Sequence, residues 1–78
     1  MINPIQRIKE EKNLTLMEMA TIFNVSESTL YQNLKGGRRE LSEQILSTLD
    51  EMGYNIDEIK EEYRQFKLKK RLELMESN

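Results

Sequence analysis

Glu27, Ser28, Tyr31 and Gln32 are spaced so that a helix would set them along one outward ridge. Their side chains suit the edges of base pairs. Gln32 can bond adenine bidentately through the oxygen and nitrogen of its amide, Ser28 can bond either kind of edge, Glu27 can accept from the cytosine amino group, and Tyr31 can touch a thymine methyl or a phosphate. Just beyond them, Lys35, Arg38 and Arg39 surround Gly36 and Gly37. Two glycines let a chain follow a phosphate backbone closely, so these three cations are expected to contact phosphate. Thr15, at the amide-rich start of an earlier helix, is a further phosphate candidate. The expected partner is double-stranded DNA. Each residue also has a plainer use: Glu27 suits the positive end of the helix it begins, Ser28 and Gln32 suit ordinary helix surface, and Arg38 and Arg39 suit solvent or pairing with Glu40.

Such a ridge needs a helix held against a neighbour, and residues 14–36 carry the punctuation for that pair. Thr15 with Glu18 three residues on forms a capping box, and Leu14 with Met19 the flanking staple, so a helix of about two turns is predicted from Leu16. Asn24 then interrupts the pattern. Asn is one of the few non-glycine residues that tolerates the left-handed backbone of a sharp turn. Val25 and Leu30 staple the next start around Ser26, and a second helix is predicted from Glu27 up to the glycines. Met19, Ala20, Phe23, Val25 and Leu30 fall where the two would touch, with small Ala20 allowing close approach.

This stretch resembles, without a gap, the helix-turn-helix of the lambda repressor and Cro superfamily, often called the XRE family. Members usually follow the unit with a basic loop containing Gly, which is where Gly36, Gly37, Arg38 and Arg39 stand. Three positions differ: Leu16 replaces a phosphate-binding Gln of many relatives, Glu27 replaces a common Gln or Arg, and Asn33 replaces a usual core apolar residue. The resemblance implies an all-α fold, a compact five-helix lambda-repressor-like domain with an extended C-terminal helix. It also implies a sequence-specific transcriptional regulator, a repressor of the kind carried by phages or mobile elements. As a homodimer it would set two recognition helices about one DNA turn, ~34 Å, apart. The alternative is an antirepressor or inhibitor that turns the same helices against a protein.

Further helices complete the reading. Asn3, Pro4 and Gln6 spell a helix start, running to about Lys12 with Ile5 and Ile8 inward. Leu41, Ile45, Leu49 and Met52, with Leu46 beside them, repeat at helical spacing until Gly53 supplies a stop. Tyr54, Asn55, Glu58 and Ile59 repeat the staple and cap, so a last helix is predicted from Ile56 to about Met75. Its stripe of Ile56, Ile59, Tyr63 and Phe66 gives way to Leu68, Leu72 and Met75 on another face. A core this small cannot cover that second set, and several family members pair through their last helix, so Leu68, Leu72 and Met75 are the expected dimer interface. The division is residues 1–66 as the DNA-binding domain and 67–78 as the extension. The cations of the last helix, Arg64, Lys67, Lys69, Lys70 and Arg71, are read as a solvated face that could also reach phosphates.

Composition narrows the function classes. The 78 residues contain no Cys and no His, which removes disulfides, Cys/His zinc sites and the usual nucleophiles. Paired acids such as Glu10 with Glu11 and Glu61 with Glu62 are neighbours that do not face each other, so no catalysis, cofactor, metal or small-molecule substrate is expected. No apolar run approaches the roughly 20 residues that span a bilayer, and MINPIQRIKEEKN lacks the pattern of a signal peptide. A cytoplasmic protein without membrane contact is expected. The net charge of −2 is unhelpful to a DNA binder unless it is unevenly spread. Residues 1–40 hold six basic against five acidic residues and residues 41–78 six against nine, so the asymmetry has the right sign and is small.

Overall fold

Local capping marks the start of four of the five helices among the described residues. The computed structural model describes residues 2–76, and among them lie five helices and no strand: α1 Pro4–Glu11, α2 Leu16–Phe23, α3 Glu27–Lys35, α4 Glu43–Glu51 and α5 Ile56–Glu76. Asn3 caps α1 through its Oδ1, which accepts from Ile5 N at 2.8 Å. Thr15 and Glu18 close the reciprocal box at α2, at 3.1 and 2.9 Å. Ser26 caps α3 by accepting from Thr29 N, and Asn55 caps α5 by accepting from Glu58 N. Gln6 does not reach back to its cap; its amide donates forward to Glu10 at 3.2 Å. Asn24 takes the left-handed conformation at φ 54° and ψ 45°, and turns α2 into α3.

Burial then joins the helices. Ile5, Ile8, Met19, Ala20, Phe23, Leu30, Leu41, Ile45, Leu49, Ile59 and Tyr63 make one core, with Leu14, Val25 and Leu46 packed at its margin. α1 lies on α3 and α5, α2 on α3 and α4, and α4 on α5. Arg7 of α1 ties to Glu62 of α5 at 3.0 Å, so this half-exposed acid is paired across two helices. Met52 is corrected from the expected stripe of α4. The helix stops at Glu51, Met52 is its cap and Gly53 turns at φ +94°, so Met52 swings out to 38% exposure. Met17 and Met75 are also exposed, so among the described residues Met19 is the methionine that fills the core.

Asn33 occupies a fully buried position, and its bonds explain why it is tolerated there. Its Oδ1 accepts from Ser42 N at 2.9 Å, and its Nδ2 donates to Thr29 O at 3.2 Å. Ser42, the N-cap of α4, makes no cap bond with its own side chain. Asn33 therefore fixes where α4 departs from the loop. Asn33→Leu is expected to destabilise the fold by about 1–3 kcal/mol by leaving the Ser42 amide without an acceptor. Urea unfolding tests this, and an unchanged midpoint would mean that the bond to Ser42 is dispensable.

Two exposed carboxylates carry acid sensitivity. Backbone and side-chain bonds to Thr15 hold Glu18 below its ordinary 4.5. The Arg64 guanidinium, at 2.6 and 2.8 Å, and then Gln65 hold Glu61 at about 2. A carboxylate lowered by folding stabilises fully above its unfolded value and loses that contribution as pH falls through the folded one. The urea midpoint is thus expected to hold above pH 4.5 and decline toward pH 2, with a shallower decline in Glu61→Gln. Equal declines in the two chains would refute this assignment.

Candidate nucleic-acid interface

α3 meets the core through Leu30 and Asn33, both fully buried. Its opposite side stays open: Glu27, Ser28, Tyr31, Gln32 and Lys35 are all exposed. The expected base-reading residues therefore share one accessible ridge. Lys35 Nζ stands 5.1 Å from the Tyr31 ring centroid, so a cation and a phenol share the C-terminal part of the ridge. Gln32 curls over Gly37, where a Cβ would collide with its Oε1. A side chain at position 37 would displace the Gln32 amide from this pose, and Gln32 must swing outward to meet a base. Glu27 sits in the first turn of α3, where a negative charge is favoured.

The loop after α3 is anchored while its cations remain exposed. Gly36 is left-handed at φ +74°, and a Cβ there would lie 2.9 Å from Phe66 Cε2. Tyr63 OH donates to Arg38 O at 2.7 Å, which pins the loop backbone to α5. Burial pushes the Tyr63 phenol up, against the opposing charge of Arg38, so it keeps its proton and its bond at neutral pH. The Arg38 and Arg39 side chains are exposed and make no hydrogen bond or ion pair among the described residues. Neither pairs with Glu40. Thr15 is exposed at the start of α2, but its amide and one hydroxyl lone pair are engaged by Glu18. One hydroxyl hydrogen remains to donate, beside a carboxylate that repels phosphate.

The C-terminal end of α3 reveals roles that the sequence reading missed. A helix leaves its last four carbonyls without intrahelical partners. Here Gly37 N donates to Gln32 O at 2.8 Å, and Asn3 Nδ2 donates to both Asn33 O and Leu34 O, at 2.7 and 3.1 Å. Lys70 Nζ donates to Lys35 O at 2.7 Å, and Lys67 Nζ to Gly36 O at 2.5 Å. Side chains from α1 and α5 thereby clamp the end of the exposed helix, and both ammonium groups sit where a helix end is negative. Asn3 was legible only as a cap, and the two lysines only as solvated charge.

Beyond the clamp α5 leaves the body. At 1.5 Å per residue its 21 residues extend about 31 Å, more than the 24 and 21 Å widths of the molecule. Leu68, Leu72 and Met75 are 42%, 50% and 60% exposed, so the expected interface residues do share a surface that the monomer does not cover. Within the expected extension Lys67 and Lys70 bond the end of α3, and residues 77–78 lie outside the described residues. No helix among the described residues is long and apolar enough to cross a membrane.

Comparison with family models, with curated proteins and with solved structures gives no match.

Proposed function

We propose that this chain is a sequence-specific double-stranded DNA-binding transcriptional regulator of the lambda repressor and Cro type, acting in the cytoplasm without catalysis. The observation that carries the proposal is the open polar ridge of α3, held by the core on one side and at its end by Asn3, Lys67 and Lys70. In this reading α3 enters the major groove. Ser28, Gln32 and Tyr31 meet base edges, Glu27 selects cytosine or stabilises the helix, and Lys35, Arg38 and Arg39 hold phosphates. A second copy docks on Leu68, Leu72 and Met75 and sets the two ridges on successive half-sites. Leu72→Glu, an exposed change, is expected to leave the fold intact and halve the mass seen by light scattering.

A compact repressor of phages or mobile elements fits this architecture. A protein-binding antirepressor or inhibitor is the second reading, favoured by Glu18 and Glu27 at the starts of both helices of the pair and by the acidic total charge. Titrating binding to a random-sequence duplex with salt separates them. Groove reading requires log affinity to fall linearly with log salt at a slope of several phosphates. No binding at low salt removes the DNA reading and leaves the protein-directed one.

A further inference from the structure

We propose that Lys67, Lys70 and Arg71 of α5 form a second phosphate-binding face that prolongs the α3 interface along the DNA backbone. The inference rests on the DNA-binding reading of α3. At 3.6 residues per turn these three side chains fall within about 100° of arc on α5, beside the face of Leu68, Leu72 and Met75, which it borders at Arg71 and Met75. Glu76 falls on the far side of the helix, and Glu73 stands about 60° round from Lys70 at the edge of the face. The groove between α5 and Gly36 at the end of α3, about 620 Å³, is lined on α5 by Lys67, Lys70 and Arg71 with Leu68, Leu74 and Met75, and holds no carboxylate among the described residues.

The charges of this face are not neutralised. Arg64, one turn earlier, is matched by Glu61 at 2.6 Å. Lys67 and Lys70 instead donate to carbonyls at the C-terminal end of α3, whose partial negative charge is smaller than a carboxylate's, and each ammonium keeps two further N–H donors. Those same bonds fix the ammonium groups in place, so part of the entropy of ordering a lysine on phosphate is already spent in the free protein. The face is also continuous with the ridge: Tyr31 meets Lys35 at 5.1 Å, Lys35 O meets Lys70 at 2.7 Å, and Gly36 O meets Lys67 at 2.5 Å. A duplex lying on α3 and running past its C-terminal end would meet these cations next. This concentrates positive charge on one side of a molecule whose total charge is −2.

The test is the salt slope of full-chain binding to a labelled random-sequence duplex between about 50 and 200 mM salt, where each phosphate contact adds about 0.9 to the slope. Arg71→Gln breaks no bond of the clamp and is expected to lower the slope by about 0.9; Lys67→Gln, Lys70→Gln and Arg71→Gln together lower it by about 2.7. Lys67→Arg with Lys70→Arg keeps the charge and the unaltered slope. A triple variant with the unaltered slope overturns the inference. So does an arginine pair that loses as much slope as the glutamine variants, because the loss then comes from a disturbed α3 end. Both outcomes leave the α3 reading standing, whereas failure of the unaltered chain to bind duplex removes the α3 reading together with this one.

Discussion

Replacing Arg38 and Arg39 together by alanine is expected to weaken duplex binding by about 60-fold at 0.1 M salt and to lower the salt slope by about 1.8, the effect of two lost phosphate contacts. The fold should not notice. Both side chains are exposed and free of hydrogen bonds and ion pairs among the described residues, and the loop is held through the Arg38 carbonyl, which alanine retains, by Tyr63. Thermal unfolding and fluorescence anisotropy on the same variant therefore give opposite answers: an unchanged midpoint and a large loss of affinity. A variant that binds as tightly as the unaltered chain would take the loop out of the interface.

Phe23→Ala carries the largest expected cost in stability, about 3–5 kcal/mol for a buried aromatic removed from a core that cannot collapse around the gap. Phe23 is 1% exposed at the end of α2, among the largest fully buried side chains, and precedes the left-handed Asn24 that aims α3. A domain of this size is stable by roughly 0.05–0.15 kcal/mol per residue, so that cost removes a large share of the total. Urea unfolding should show a midpoint near zero denaturant. Ile22→Ala, one residue earlier but 42% exposed, should cost far less. Equal costs at the two positions would contradict the placement of Phe23.

The difference between these neighbours shows what the sequence made legible. Caps, staples and the Asn24 turn are encoded within three or four residues, and the helix starts at Leu16, Glu27 and Ile56 follow from them. The ridge was equally legible, because the polar spacing of Glu27, Ser28, Tyr31 and Gln32 is the complement of the apolar spacing that buries Leu30. Roles that depend on which distant helix end comes within reach were not. Asn3 bonds carbonyls 30 and 31 residues away, and Lys70 one 35 residues away. Nothing in the local pattern distinguishes such a lysine from Lys69, which points elsewhere on the same helix. Asn33 was visible as an exception to the apolar pattern, but its reason, the Ser42 amide, appears only with the loop in place.

Amide chemical-shift mapping of the isotope-labelled full chain on addition of a short random-sequence duplex at low salt bears most directly on the ridge of α3. Shifts concentrated on residues 27–39 are the predicted result. No shifts, or shifts confined to α1 and α4 with residues 27–39 unmoved, would contradict it.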